Sequence, residues 1–131
     1  MEIKAEALAR SAKPGQFLIV KIDEKGERIP LTICDYNRKE GTITIVFFAI
    51  GKSTEEMGKL NEGDFFQDVA GPLGQESEFL HENIEDLKNK KILFVAGGVG
   101  TAPVYPQVKW LHENGIKTDV IIGAKTKSLV I

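Results

Sequence analysis

A glycine-rich loop offers the clearest chemistry in this sequence. Gly97, Gly98 and Gly100 follow an apolar run at residues 91–96 and precede an amphipathic segment. At such a junction the first N–H groups of a helix lack intrahelical partners and the helix dipole is positive, so an anion can bind. The loop departs from the G-x-G-x-x-G pattern, because Pro103 takes the third glycine position. Dinucleotide binding and a purely structural tight turn therefore both stay open.

A second candidate is Gly51-Lys52-Ser53-Thr54, which is similar to the end of a P-loop. A P-loop also requires a glycine five residues before Gly51, where this chain has Val46, so an NTPase is not favoured. The segment can still form a turn rich in N–H groups and hydroxyls that binds phosphate. The alternative is that Ser53 or Thr54 caps a helix predicted at residues 55–57.

A third candidate combines a guanidinium and a hydroxyl around a proline, in Arg28-Ile-Pro30-Leu31-Thr32. Side chains alternate along a strand, so Arg28 and Thr32 are expected on one face, ~13 Å apart. Arg28 could neutralise a pyrophosphate while Thr32 reaches a ring system. Taken alone, a solvated arginine beside a core threonine explains the same residues.

The elements that must position these residues fall into two regions. Short apolar runs at residues 17–22, 31–34, 42–48 and 64–69 are separated by glycine-containing turns and predict an antiparallel barrel or sandwich. The N-terminal residues 1–12 predict a short amphipathic helix.

The sequence of the second region, from residue 91 onward, predicts a strand, a glycine loop, a helix and a second strand. The continuous apolar run at residues 91–96 is typical of a strand buried on both faces of a parallel sheet. A helix is expected over residues 103–114, a second strand over 117–122, and the start of another element at 129–131. Gly71-Pro-Leu-Gly74 and the acidic stretch at 76–86 predict the boundary between the regions.

Composition excludes several classes of protein. The chain has 131 residues, 42% hydrophobic and 27% charged, with a net charge of −2, which fits one globular domain and disfavours nucleic acid as a partner. Its single cysteine, Cys34, excludes an internal disulfide and a cluster held by this chain, and no metal site is expected. Cys34 is interpreted as a small, partly buried hydrophobe. No segment predicts a membrane span or secretory signal, so a cytoplasmic location is expected.

Together the motifs form an ordered series that resembles the ferredoxin–NADP reductase superfamily. The resemblance is strongest to the alpha-type electron-transfer subunits of ferredoxin:NADP oxidoreductase, sulfide dehydrogenase and dihydroorotate dehydrogenase. It covers nearly the whole chain. The residues that carry it are Lys13-Pro-Gly-Gln-Phe17, Gly26-Glu-Arg-Ile-Pro-Leu-Thr32, Ile43-Thr-Ile-Val46, Gly51-Lys-Ser-Thr54, Gly71-Pro-Leu-Gly74 and Gly97-Gly-Val-Gly100 with Ala102-Pro103.

The resemblance implies a small antiparallel flavin-binding barrel at residues 1–88, followed by a partial parallel α/β nucleotide-binding domain at 89–131. It implies FAD and NAD(P)H as cofactors, with hydride passing from nicotinamide to flavin and electrons leaving toward an iron–sulfur partner. Thr32 is the implied catalytic residue, near the reactive edge of the flavin. The implied cofactor-binding residues are Arg28, Pro30, Leu31, Thr32, Gly51, Lys52, Ser53, Thr54, Gly97, Gly98, Gly100, Thr101 and Pro103.

The sequence also departs from the family's pattern. It contains neither the rest of the nucleotide domain nor the cysteines that would hold a [2Fe–2S] cluster, and an opening barrel strand is expected to be missing. We therefore expect a truncated subunit that works with a larger oxidoreductase subunit or a ferredoxin, or that forms a homo-oligomer, with little activity alone. The alternative is a non-enzymatic barrel that serves as a binding or assembly module. The sequence leaves NADH or NADPH, and FAD or FMN, open.

Overall fold

The computed structural model describes residues 1–130 as seven strands, four α-helices and short 3-10 turns. The strands are β1 (Glu2–Lys4), β2 (Phe17–Lys21), β3 (Ile29–Asn37), β4 (Thr42–Ile45), β5 (Asp68–Leu73), β6 (Ile92–Gly97) and β7 (Thr118–Gly123). The helices are α1 (Glu6–Ser11), α2 (Lys52–Met57), α3 (Ile84–Lys88) and α4 (Thr101–Glu113). The 3-10 turns are Glu78–His81, Gly98–Gly100 and Lys127–Leu129.

The first five strands form one antiparallel sheet in the order β1-β4-β3-β2-β5, curled into a half-barrel. Alternate side chains of β2, β3 and β4 point to its inside, where Leu18, Ile33 and Ile43 are almost fully buried. Ala9 of α1 and Met57 of α2 join this core. Both helices therefore close the concave side of the sheet.

The remaining strands form a separate parallel pair, β6 and β7, joined by α4. The predicted fold, an antiparallel β region followed by a partial parallel α/β unit, is confirmed. A second core lies beside this pair, where Leu111 of α4 packs with Leu87 and Ile116. The Trp110 ring contacts Phe79, with ring centroids 5.4 Å apart.

Several predicted boundaries in the barrel region are wrong. The strand predicted at residues 64–69 starts at Asp68, because Phe65 lies in an exposed loop. The strand continues through Gly71 and Pro72 to Leu73. The predicted boundary at 71–74 is therefore mostly strand. The run at 42–48 ends its pairing at Ile45.

The N-terminus also differs from its prediction. Residues 1–12 contain the expected helix, α1, but a short strand precedes it and pairs Glu2–Lys4 with β4. This strand is an edge of the half-barrel that hydrophobic periodicity did not indicate.

The prediction that the strand at residues 91–96 is buried on both faces is wrong for the described residues. Phe94 and Ala96 face α4, whereas Leu93 and Val95 on the other face are 56% and 70% exposed. Ile121, the register partner of Val95, is also exposed. The described residues cover only one side of this sheet. Of the predicted element at 129–131, Leu129 ends a 3-10 turn and Ile131 lies outside the described residues.

No helix within residues 1–130 is both long enough and apolar enough to cross a membrane.

Candidate functional site

The outer face of β2 and β3 holds two of the predicted flavin-binding residues, Pro30 and Thr32. In the strand register Thr32 lies opposite Phe17 and Pro30 lies opposite Ile19. Phe17 and Ile19 alternate with the buried Leu18 and Val20, so they lie on the convex side of the half-barrel. Their register partners Thr32 and Pro30 lie on the same side. We call this group of Phe17, Ile19, Pro30 and Thr32 the outer platform.

Leu31, although predicted in the same motif, has its side chain on the opposite side. It lies opposite Leu18 and packs against the barrel core. The strand alternation that brings Pro30 and Thr32 together therefore separates the Leu31 side chain from them. Only the backbone of Leu31 is available beside the platform.

Arg28 lies one residue before β3 and forms an ion pair with Asp68 of β5. Its Nη1 atom lies 2.9 Å from Asp68 Oδ2, and both side chains are partly exposed. Asp68 lies opposite Lys21 in the strand register, and Lys21 follows the buried Val20. The carboxylate is therefore on the convex side, and Arg28 reaches across β2 on the side of the platform. Sequence reasoning missed Asp68, because its proximity to Arg28 depends on long-range pairing.

The Gly51–Thr54 segment forms the N-cap and first turn of α2. Thr54 Oγ1 accepts hydrogen bonds from the N–H groups of Ile50 and Gly51, each at 3.1 Å, and donates to the Gly51 carbonyl at 3.0 Å. Its hydroxyl is thus used within the turn. The alternative that Ser53 or Thr54 is the N-cap of a helix at residues 55–57 is wrong, because the N-cap is Gly51 and both residues lie inside α2. The exposed Lys52 and the open space at the Gly51 Cα remain accessible to a ligand.

Ser53 connects this turn to the arginine segment. Its Oγ donates to Glu27 Oε2 at 3.0 Å, and Glu27 immediately precedes Arg28. Two of the three predicted motifs are therefore neighbours in space, although 22 residues separate Arg28 from Gly51 in the sequence. Glu27 lies within the segment Gly26–Thr32, but no role is predicted for it, and its contact with Ser53 depends on the folded chain.

The glycine loop bends between β6 and α4. Gly98 has φ +53°, a left-handed conformation that side chains with a Cβ rarely adopt. A Cβ at Gly98 or Gly100 would meet no atom within 4 Å, so the space in front of the loop is open. Pro103 follows in the first turn of α4, where its missing N–H costs no intrahelical bond.

Thr101 begins α4 and has an unusual side chain. It is only 9% exposed, and its Oγ1 has no hydrogen-bond partner within residues 1–130. A buried hydroxyl normally has a partner, because leaving it unpaired costs free energy. This unpaired hydroxyl lies at the start of α4, directly after the glycine loop.

A cleft of about 850 Å³ separates the glycine loop from the half-barrel. It is lined by residues 48–50 on the barrel side, by Gly97 and Gly98, and by residues 123–125 with Leu129 at the end of β7. The barrel side of the cleft leads directly into Gly51. Sequence reasoning missed residues 48–50, because it assigned Phe48 to a strand and its neighbours to no element.

Cys34 does not resemble a reactive thiol. Burial raises its pKa above the ordinary value, and the negative charge of Asp35 raises it further. Among residues 1–130 no group of three or more His, Cys, Asp or Glu side chains is arranged to hold a metal ion.

Comparison with known proteins finds relatives in sequence and in fold. No family model matches the sequence. A dihydroorotate dehydrogenase B (NAD(+)) electron transfer subunit homolog from Thermotoga maritima is 43% identical over 129 residues, 98% of this chain and 43% of that protein. An uncharacterized protein in the adh 3' region of Clostridium beijerinckii is 62% identical over 131 residues, 100% of this chain and 44% of that protein.

Among solved structures, an NADH-dependent reduced ferredoxin-NADP oxidoreductase is 40% identical and superposes with a TM-score of 0.87, over 99% of this chain and 45% of that one. Over nearly its whole length the chain is thus similar in sequence and in fold to electron-transfer subunits of this ferredoxin–NADP reductase type. A more distant member of this fold, the cytochrome b5 reductase domain of Ulva prolifera nitrate reductase, is 21% identical with a TM-score of 0.66, over 92% of this chain and 53% of that one. The chain thus spans less than half the length of these curated relatives.

Proposed function

We propose that this chain is the flavin-binding part, with the first nucleotide-binding elements, of an electron-transfer subunit. It passes reducing equivalents between NAD(P)H and an iron–sulfur or ferredoxin partner through FAD. The observation that carries this proposal is the cleft, which places an open glycine loop opposite the segment that leads into Gly51. The chain is also similar, over nearly its whole length, to relatives named as electron-transfer subunits.

Residues 1–88 are proposed to bind FAD. The outer platform offers an apolar surface for a flat ring system, and Thr32 is the hydroxyl of that platform. Arg28 supplies the charge for a phosphate, since a guanidinium can donate two parallel hydrogen bonds to phosphate oxygens. Ser53 contacts Glu27, the residue before Arg28. Lys52 and the backbone of Gly51–Thr54 are therefore proposed to complete the phosphate-binding side.

Residues 89–131 are proposed as the first βαβ unit of the nucleotide domain. The open space at Gly98 and Gly100 admits a pyrophosphate close to the backbone. Thr101 Oγ1 would then gain the hydrogen-bond partner that it lacks in the described residues. Gly97 and Pro103 hold the ends of the loop, one at the end of β6 and the other in the first turn of α4.

A bound flavin supplies the hydride and one-electron chemistry, so the chain need not contain an acid–base pair. The chain's own residues would bind the flavin, orient it and exclude water from it. Thr32 is proposed as the catalytic residue because its hydroxyl can donate a hydrogen bond at the reacting edge of a ring on the platform. The protein is further proposed to act with a larger oxidoreductase subunit in the cytoplasm.

An absorbance spectrum of the purified chain tests this function. The expected result is a yellow protein whose flavin absorbance bleaches when NADH or NADPH is added anaerobically. A colourless chain that does not bind added FAD would support the alternative, a non-enzymatic binding module. Steady turnover with an artificial acceptor is expected to be slow, because the described residues form only two strands of the nucleotide-binding sheet.

A further inference from the structure

Helix α4 connects the two strands of the α/β unit, yet it packs more extensively on β3 of the half-barrel than on β6 or β7. Its N-terminus carries the glycine loop and Thr101. The position of that loop therefore depends on how α4 is held against the barrel. Two side-chain contacts cross this junction between the barrel and α4.

The first contact joins Asp35 of β3 to Lys109 of α4. Lys109 Nζ lies 2.7 Å from Asp35 Oδ1, and both side chains are about one-third exposed, at 36% and 29%. The hydrogen bond to Asp35 is the main reason that the pKa of Lys109 is raised. Asp35 Oδ1 also accepts from the N–H of Tyr36 at 2.8 Å, which restrains the carboxylate.

A β-bulge places Asp35 in this position. Ile33 pairs with Ile45 and Asp35 pairs with Thr44, so Cys34 is an extra residue in β3. Bulges of this kind bend a strand and change the direction of the side chains that follow. The bulge at Cys34 lies between Thr32 of the outer platform and Asp35, the residue that contacts α4.

The second contact joins the connection after β5 to the beginning of α4. Ser77 Oγ donates to Gln107 Oε1 at 3.1 Å, and Gln107 Nε2 donates to the Pro103 carbonyl at 2.9 Å. Ser77 is itself fixed to the barrel, because its N–H donates to the Pro14 carbonyl at 2.9 Å. A chain of hydrogen bonds therefore runs from the barrel to the first turn of α4.

We propose that Asp35–Lys109 and Ser77–Gln107 form a positioning joint that sets the glycine loop at a fixed distance and angle from the flavin-binding face. Residues two positions apart on a helix project from nearly opposite sides, so contacts at 107 and 109 together resist rotation of α4. Each contact alone is weak because it is partly exposed. The effect of the joint on flavin reduction rests on the proposed function, whereas the geometry of the joint does not.

The geometric test measures the separation of the two units by electron paramagnetic resonance. Nitroxide labels are placed at the exposed positions Glu55 of α2 and Asp119 of β7, in a Cys34→Ser background. The parent should give one narrow distance distribution, whereas D35N/Q107L, which alters one residue of each contact, should broaden it or add a second distance. The charge swap D35K/K109D should narrow the distribution relative to D35K alone.

A matched control is Lys39→Met, which removes a positive charge from the turn after β3 without altering either contact of the joint. Its distance distribution should equal that of the parent. An unchanged distribution in D35N/Q107L would overturn the joint. If D35K/K109D gives a distance distribution as broad as that of D35K alone, the Asp35–Lys109 contact does not hold the two units in place.

The catalytic test measures flavin reduction by saturating NADH in a stopped-flow instrument. D35N/Q107L should react about tenfold more slowly, since small misplacements of reacting groups have large effects on rate. Its flavin affinity and its reduction by dithionite should match the parent. A parent that binds no flavin would refute the proposed function while the distance measurement still decides the joint. Normal NADH reduction in a variant with a broadened distance would overturn the joint's catalytic role.

Discussion

Replacing Arg28 by alanine tests the proposed phosphate-binding side most directly. The guanidinium already has one carboxylate partner, Asp68, but 59% of its side chain is exposed, so a phosphate can reach it. Losing hydrogen bonds to a charged group costs about 1.5–3 kcal/mol, which corresponds to a roughly 10- to 150-fold weaker Kd for FAD. The fold should survive, because an ion pair this exposed contributes at most about 1 kcal/mol.

Asp68 makes the prediction more specific. Arg28→Ala leaves the Asp68 carboxylate without its guanidinium near the incoming phosphate, so repulsion adds to the loss. Asp68→Asn instead releases the guanidinium from its ion pair, and FAD should bind equally well or up to about fivefold more tightly. Arg28→Lys keeps the charge but loses the two-pronged geometry, and its affinity should lie between those of the parent and the alanine variant.

The assay is a titration of FAD fluorescence at several salt concentrations, with thermal unfolding as the control for folding. A phosphate contact predicts that Arg28→Ala flattens the salt dependence of the Kd as well as weakening binding. If the alanine variant binds FAD within about twofold of the parent at every salt concentration, Arg28 does not contact the phosphates.

Three further predictions concern the α/β unit. Gly98→Val should weaken nucleotide binding and leave FAD binding unchanged. The control is Gly63→Val, at another left-handed glycine with open space around it. It should lower stability by a similar amount and leave the affinities for nucleotide and FAD unchanged in parallel titrations. Thr101→Val removes the unpaired buried hydroxyl. It should raise the free energy of unfolding of the free chain by about 1 kcal/mol and weaken nucleotide binding. A lower stability of this variant in calorimetry would contradict the unpaired state of the hydroxyl. The exposed face of β6 and β7 should drive self-association or partner binding, and V95K/I121K should increase the monomer fraction in light scattering; a parent that is already monomeric and turns over NAD(P)H rapidly would refute this expectation.

The order of most elements could be predicted because they carry a local signal, although β1 does not. The glycine loop follows a continuous apolar run, and Pro103 lies in the first turn of α4, as the helix prediction required. Boundaries were less accurate where local signals disagree with pairing. Phe65 and Phe66 suggest a strand, but β5 pairs with β2 only from Asp68 onward.

The partners of the site residues could not be predicted from local patterns. Asp68 contacts Arg28 only because β2 lies between β3 and β5 in the sheet, and Asp35 contacts Lys109 across 74 residues of sequence. Such contacts depend on sheet order and on one bulge, neither of which leaves a motif. Leu31 shows that a motif can also include a residue whose side chain is not at the site. It belongs to the motif, but strand alternation directs its side chain toward the core.

Departures from the rules of stable folding lie close together at the glycine loop. Gly98 adopts a left-handed conformation with open space where a side chain would lie. Three residues later Thr101 carries the one buried side-chain polar atom without a partner that is found among residues 1–130. A left-handed glycine in a turn is ordinary, but a turn alone needs neither the open space nor the unpaired hydroxyl. A bound anion would use both, which is why these two residues favour nucleotide binding over a purely structural turn.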